Sequence, residues 1–525
     1  MFDKELPIES KNFLSEFVEQ SNQYYLLSLN GESQKEIGQI FTPLPIARFM
    51  AGLFKIEKAE ISILDPGAGT GILTAALCDR IIENKLIQKI TCDLYENDKK
   101  VLPHLKKNLE VIKEIFSEKK IDFNFNIIDE DFITTNSDHF NSDSMFYNSF
   151  EKRSYDLIIS NPPYYKLAKS HPHSIRMKKV VYGQPNVYFF FMTLAAALLK
   201  DDGQMVFITP RSYCSGLYFK KFRTWFLKRI KPEYFHIFES RKETFNNEIL
   251  QETIILKGTK KKNIPRSIRI STSFNSNLTD SDFLKVNYED IIQPDDPEQI
   301  IHLPVSITDI EILEIVRSWK QKFTDLGYRI STGPVVHFRA TEFLNEDYQF
   351  DGQKKVPLLW MNHLKNYRIK FPNSSLKKPQ TISVKPSSVK LLLKNNNYVL
   401  VKRFSSKEQK KRISAAIYSR DDFNVDYIGI ENHLNYIWKP FGELSTIESL
   451  GIMAILNSSI IDKFFRIING NTQVNATEIN NLPFPTHENI LEIGKQIKEL
   501  KSFNESLINQ LVHEQLGISL KLTEN

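Results

Sequence analysis

The sequence predicts an α/β protein: a doubly wound, mostly parallel sheet with an antiparallel hairpin at one edge, followed by a mixed α+β domain. Three observations carry this. Between Ile61 and Lys257 short β-branched runs alternate with stretches of helical spacing, the pattern of a parallel sheet covered on both faces. The first of those runs ends in a glycine loop, "ILDPGAGTGIL". Near Lys257 the alternation dissolves, and further on the charge changes character. From Asp351 to Arg420 there are 17 Lys and Arg against 2 acids, although the whole 525-residue chain carries only +6.

Taken in order, the chain opens with a helical lead over residues 1–60, interrupted by "GQIFTPLPIARFM". "ISILD" is the first strand, and "GILTAALCDRII" has helical spacing. "KITCDLYE" is the second strand, followed by a helix from Lys99 to about Phe116. "FNFNIIDEDF" and "YDLIIS" are the third and fourth strands. A helix from Asn186 to Leu199 precedes a turn at Asp202-Gly203, and "QMVFITP" is the fifth strand. "YFKKFRTWFLKRI" is a helix. "EYFHIFES" and "LQETIILK" form the edge hairpin, because the polar turn between them leaves no need for a crossover helix. The domain division expected is 1–260, a connecting segment 261–325, a second domain 326–485 and a helical tail 486–525. The second domain opens with short strands such as "YRIST", "VVHFRA" and "YVLVKRF", and closes with helical segments Ile447–Ile468 and about Ile490–Val512.

Composition excludes several classes. The three cysteines, Cys78, Cys92 and Cys214, have no metal-ligand spacing, which suits a reducing cytosol and argues against a disulfide framework or a zinc site. "MFDKELPIES" has no apolar core and is not a signal peptide. The longest apolar run, "YFFFMTLAAALL", is too short to span a bilayer. His171, His173 and His337 match no metal site, and "PDDPE" at Pro294 reads as a solvated loop. The strongly basic stretch is the electrostatic footprint of a polyanion partner, or else a solvated surface.

Gly67, Gly69 and Gly71 sit between a strand and a helix, where glycines let the backbone turn tightly and approach a cofactor. Glu96, ending the second strand, is placed to accept ribose hydroxyls. These features suit a nicotinamide cofactor as well as S-adenosylmethionine. Asp65 helps to choose between them: a carboxylate just before the loop repels a pyrophosphate and suits the cationic amino acid end of S-adenosylmethionine. The spacing is also not that of a dinucleotide loop.

The fourth strand ends in Asn161-Pro162-Pro163-Tyr164. In this topology its carboxyl end lies beside that of the first strand, at the switch point where ligands bind. The amide oxygen of Asn161 and the carbonyl of Pro162 are two acceptors. Gripping both hydrogens of a planar NH2 group, they draw its lone pair out of conjugation, ready to attack a sulfonium methyl. Tyr164 offers a face for a planar base.

With these motifs the first half resembles the S-adenosylmethionine-dependent amino-methyltransferases of DNA, in the gamma arrangement, with a Rossmann-like sheet. Residue by residue, the resemblance implies that Thr42 and Pro43 contact the methionine moiety and that Asp65, Gly67 and Gly69 form the cofactor loop. It implies that Glu96 holds the ribose, that Asp131 and Phe132 hold the adenine, and that Asn161 to Tyr164 form the catalytic loop, with Asn161 also contacting the cofactor. Phe245, in "ESRKETFNNEILQETIIL", matches the second aromatic against the flipped base. The C-terminal half is similar to the type II modification methyltransferases of the BsuBI/PstI kind, with Eco57I-type methylase domains, through "ISTGPVVHFRA", "VPLLWMNHL" and "MAILNSSIIDKFFRIINGNTQVNATEINNLPFP". The two resemblances together imply site-specific methylation of adenine N6 in duplex DNA, at a short palindrome with one adenine per strand. The cognate restriction endonuclease is then a separate chain and the setting is a prokaryotic cytoplasm; a monomer could methylate each strand in turn, and the oligomeric state stays open.

A flipped base costs a few kcal/mol to extrude, and phosphate contacts offset that. Candidates are Lys166, Lys169, Arg176, Lys178 and Lys179 after the catalytic loop, and Lys385, Lys390, Lys402, Arg403, Lys410, Lys411 and Arg412 in the basic stretch. Asn471, Gln473 and Asn475 are candidates for base edges. Two rival readings stand beside this one. The first is an amino-methyltransferase of RNA or of protein glutamine, since the NH2 chemistry is shared. The second is a catalytically silent DNA-recognition subunit.

Overall fold

The computed structural model describes residues 13–28, 42–141, 153–238, 252–273, 278, 283–405, 409–469, 473–500, 502 and 504–520. The chain divides into two compact units, Met1–Val305 and Ser306–Asn525.

The strands of the first unit are β1 (Glu60–Pro66), β2 (Lys89–Tyr95), β3 (Asp122–Ile128), β4 (Tyr155–Ser160), β5 (Leu199–Pro210), β6 (Ile230–Phe238), β7 (Thr253–Lys260), β8 (Ser267–Ser273) and β9 (Phe283–Asn287). Among the described residues they form one sheet in the order β3-β2-β1-β4-β5-β7-β6-β8-β9. β1 to β5 are parallel. The order reverses between β1 and β4, so a crevice opens at their carboxyl ends. β4 is buried on both faces along its whole length, which is why "YDLIIS" reads as an apolar run rather than an alternating one. Ile63, Ile90, Leu157 and Ile208 from four strands share a core with Ala47, Leu77 and Leu109 from the covering helices. Each large side chain in it contributes about 1.5–3 kcal/mol by leaving water.

The hairpin is present but is not at the edge. β7 lies between β5 and β6 and is antiparallel to both. β8 then adds in parallel to β6, and β9 pairs antiparallel with β8. The segment 261–325 is therefore not a simple connector: it supplies two strands to the first unit, and the boundary between units falls at Val305/Ser306. Ile268 and Ile270 are buried within the Ser- and Arg-rich β8, a two-residue period that its composition hides. Asp202-Gly203, expected as a turn, lies inside β5. Asp202 takes φ +61, and the β4–β5 register shifts between Tyr155 and Leu157, so the polar pair marks a bulge. "LPIARFM", expected as a break, is the helix Leu44–Gly52, with a proline in its first turn and Ile46, Ala47, Met50 and Ala51 buried.

Among the described residues of the second unit, a six-stranded sheet centres on Leu434–Trp438, Tyr398–Lys402 and Ala415–Tyr418, and a five-stranded one on Thr381–Ser383, Lys355–Leu359 and Tyr427–Ile430. "VVHFRA", expected as a strand, carries the 3-10 turn His337–Arg339, and only Val335 bridges to Glu431. The closing helical segments are each two helices, Thr446–Asn457 with Ser459–Ile468 and His487–Glu499 with Glu505–Leu516. The stretch from 486 onward thus belongs to the second unit rather than forming a separate tail. Among the described residues no helix is long and apolar enough to cross a membrane; the apolar run from Tyr188 forms most of the buried helix Val187–Leu198.

Candidate active site

The glycine loop is built by strand β1 handing over to the helix Ile72–Ile82. Gly67, Gly69 and Gly71 have φ of 79°, 57° and 89°, a left-handed conformation that side chains with a Cβ resist. The turn brings the N–H groups of Gly67 and Ala68 onto the Tyr95 carbonyl, both at 2.9 Å, so the loop closes over the end of β2. There Glu96 accepts from Gly69 N at 2.8 Å and Asp98 N at 2.9 Å. Each carboxylate oxygen has a second lone pair for a hydroxyl. Burial raises the Glu96 carboxyl above its ordinary value.

Asp65 is fully buried. Its Oδ2 accepts from Thr74 Oγ1 at 2.7 Å, while Oδ1 is buried with no hydrogen-bond partner. Burial pushes its carboxyl up to about 7. A buried acceptor left unpaired is costly, and an ammonium group beside it would satisfy it. The surroundings of Asp131 and Phe132, the residues expected to hold the adenine, are aromatic. Phe132 is buried, its ring centroid 5.0 Å from both Tyr95 and Phe191. Asp131 accepts from Thr134 N at 2.7 Å at the start of the helix Phe132–Asn141, and His173 Nε2 stands 3.1 Å from it.

The Asn161–Tyr164 loop is fastened to the glycine loop. Ser160 Oγ, ending β4, donates to the Pro66 carbonyl at 2.7 Å. Asn161 Nδ2 donates to Thr42 Oγ1 at 3.1 Å, and the Tyr164 hydroxyl donates to Asn161 Oδ1 at 2.5 Å. The same hydroxyl lies 2.8 Å from the Ile208 carbonyl, an alternative acceptor that keeps it anchored when the amide oxygen is engaged elsewhere. Pro162 is buried and Pro163 half-buried; Pro43 precedes the helix Leu44–Gly52 as its N-cap. The structure therefore brings Thr42, Asn161 and Tyr164 into one hydrogen-bonded chain beside the glycine loop. Phe245 lies outside the described residues, as does Asn471.

The basic candidates divide. Lys166, Lys169, Lys178, Lys179, Lys385 and Lys390 are exposed. Arg176 is paired with Asp138 at 2.9 Å, and Lys410 with Glu505 at 3.1 Å. Lys402 is half-buried, and desolvation lowers its ammonium below the usual lysine value. Arg403 donates to the Asn432 carbonyl at 3.1 Å and reaches Gln473 Oε1 at 3.5 Å. Two expectations are corrected. Arg412 is 1% exposed; its backbone N–H donates to Asp462 at 2.6 Å and its guanidinium to the Ser405 carbonyl, so it holds a loop rather than meeting phosphate. Lys411 is mostly buried, donating to the Asn457 carbonyl at 2.7 Å and facing Glu505 at 3.4 Å. Asn475 is the N-cap of the helix Ala476–Asn480, its N–H donating to Glu478 at 3.0 Å.

This division has a measurable consequence. Arg412→Ala is expected to destabilise the protein by about 3–5 kcal/mol, the usual result of breaking a buried polar network, seen as a lowered melting temperature. Removing Lys385 and Lys390 together is expected to leave melting unchanged and to flatten the salt dependence of DNA binding by about two phosphate contacts.

Several site residues escaped the sequence reading. Thr74 supports Asp65. The Thr70 hydroxyl bonds Asn22 of the N-terminal helix Leu14–Ser28, and Asn108 Nδ2 donates to the Thr70 carbonyl at 2.9 Å. Thr70 and Thr74 sit inside the recognised loop and its helix, where a polar residue beside an acid is a usable signal. Asn22 carries none, because only the fold brings it there.

The sheet order, the glycine loop and the Asn161 loop at the switch point define a methyltransferase of the doubly wound class. Residues 53–245 match the Eco57I restriction-modification methylase family. The chain is 35% identical to the type II methyltransferase M.BsuBI of Bacillus subtilis, over 89% of this chain and 91% of that one. It is 32% identical to M.PstI of Providencia stuartii, over 98% and 99%. Among solved structures, the type IIL restriction-modification enzyme MmeI in complex with DNA shares the fold, with a TM-score of 0.54 at 12% identity, over 97% of this chain and 75% of that one. The chain belongs to the family of type II restriction-modification methyltransferases.

S-adenosylmethionine is the cofactor of that family's fold, and the residues present fit it. The unpaired buried oxygen of Asp65 suits its amino group, the left-handed glycines leave room for close approach, and Glu96 faces the loop from the end of β2.

Proposed function

We propose that this methyltransferase modifies the N6 amine of an adenine extruded from a short duplex site, protecting that site from a cognate endonuclease carried on a separate chain. The observation that supports this most is the position of Asn161, at the end of β4, with Ser160 bonded to the Pro66 carbonyl at 2.7 Å and its own amide held between Thr42 and Tyr164. In this arrangement the amide nitrogen faces Thr42 and the oxygen faces the Tyr164 side. An exocyclic amine entering there meets Asn161 Oδ1 and the Pro162 carbonyl, and both its hydrogens are accepted. The bound cofactor supplies an electrophilic methyl. Asn161 and Pro162 raise the nucleophilicity of the nitrogen, and the proton leaves after attack, so no strong base is needed. No cluster of metal-ligating residues is found among the described residues. Tyr164 stays anchored through Ile208 and presents its ring to the base. Thr42, Pro43, Asp65, Gly67, Gly69, Glu96, Asp131 and Phe132 hold the cofactor, and the second unit is the target-recognition domain.

Sequencing of modified bases in DNA from cells expressing the protein is the test. N6-methyladenine at one short palindrome, one adenine per strand, is the expected result. Methylcytosine, or no modified base in DNA, would overturn the assignment.

A further inference from the structure

The segment after the catalytic loop leaves the sheet and returns to the same place. Leu167 N donates to the Pro185 carbonyl and Val187 N to the Tyr165 carbonyl, both at 2.9 Å. Together with the 3-10 turn Leu217–Phe219 this segment encloses a surface pocket of about 670 Å³. Its walls are apolar and open: Tyr218 is 51% exposed, Tyr182 45% and Ile175 59%. Lys169 and Lys178 also line it, both exposed and without an ion pair among the described residues. The ring of Tyr218 lies against Gly183, which has φ +92 and where a Cβ would stand 2.3 Å from Tyr218 Cδ1. Bare backbone therefore sets the position of the ring. Neither the cofactor loop nor the grip on the amine uses any of these groups.

A ligand for such a pocket needs a flat apolar face and negative charge. A nucleotide has both, through base stacking on tyrosine and phosphate beside lysine, and the volume suits one small ligand. A paired base inside a duplex has both faces covered by its neighbours, so the occupant has to be unpaired. Extruding one adenine leaves one unpaired base in the substrate, its former partner. Lys169 lies five residues after Tyr164, so their Cα atoms are within roughly 18 Å, about five nucleotide steps along a strand.

We propose that this pocket receives the partner base left unpaired opposite the target, stacked on Tyr218 with its flanking phosphates at Lys169 and Lys178. The proposal rests on base extrusion as proposed above.

The test is a binding cycle with the full-length protein, a non-reactive cofactor analogue and two duplexes carrying the modification site. One has thymine opposite the target adenine and the other an abasic site there. Tyr218→Ala should weaken binding of the thymine duplex by about fivefold to a hundredfold, the range of one base–aromatic stack, and of the abasic duplex by less than about twofold. Tyr218→Phe, which keeps the ring, should follow the wild type on both. Gly183→Ala, which displaces the ring from its seat, should reproduce the selective loss. Equal losses on the two duplexes, or none on either, would overturn the pocket's assignment. Methyl incorporation into the thymine duplex by the wild type separates the two layers. Transfer without selective loss removes only the pocket, whereas absence of transfer removes the extrusion reading beneath it.

Discussion

Asn161→Ala should lower methyl transfer by on the order of 10²–10³-fold or more in kcat, while leaving DNA binding within about twofold. The magnitude is that of deleting one preorganised group aimed at charge that develops in the transition state. The loss should fall on kcat rather than on KM, because the amide acts on the reacting nitrogen and the second unit supplies most of the DNA contacts under the proposed function. The fold should survive: Asn161 is only half-buried, and the Ser160–Pro66 bond that seats the loop remains. Tyr164 keeps its second acceptor at Ile208, so the ring is not released. Incorporation of labelled methyl groups into duplex DNA, beside anisotropy binding on the same duplex, measures both quantities. Activity within tenfold of the wild type would remove Asn161 from the chemistry.

The second large effect belongs to Asp65. Its carboxyl is raised by burial from its ordinary 3.8 to about 7. In the cofactor-free protein the folded state therefore binds more protons than the unfolded state across that window, and stability falls as pH rises through it. A cation bound at the unpaired oxygen has the opposite preference and favours the ionised carboxylate. Affinity for S-adenosylmethionine should thus rise with pH by up to about tenfold per unit below 7, then level off. Asp65→Asn removes the buried charge but keeps the shape. It should weaken cofactor binding, abolish the pH dependence, and raise rather than lower the melting temperature of the free protein near pH 8. Calorimetric titration across pH together with thermal melting measures all three. A pH-independent affinity in the wild type would mean that Asp65 does not face the cofactor's ammonium.

These two residues were legible in the sequence for a physical reason. A glycine loop after a β-branched run, and an Asn-Pro-Pro-Tyr exit from another, are written in consecutive residues, and parallel topology places their ends together. Asn22 was not legible, because its contact with Thr70 spans 48 positions and depends on how a separate helix packs. β8 was hidden because its buried Ile268 and Ile270 stand among serine and arginine. Arg412 misled for the reverse reason: composition counts a buried guanidinium and an exposed one alike, and its burial follows from loop closure through Asp462 and Ser405. Valine propensity reads the segment around the 3-10 turn His337–Arg339 as strand, whereas the structure gives Val335 only a single bridge. Local chemistry thus survives in the letters, while burial and pairing of polar stretches do not.

A structure of the protein with its duplex site and a non-transferable cofactor analogue tests the claim that Asn161 and Pro162 grip the amine. The adenine N6 is expected within about 3 Å of both Asn161 Oδ1 and the Pro162 carbonyl, with the base against Tyr164 and the nitrogen facing the cofactor's sulfur centre. An adenine left in the helix, or an Asn161 oxygen turned away from the amine with Tyr164 still bonded to it, would contradict that claim.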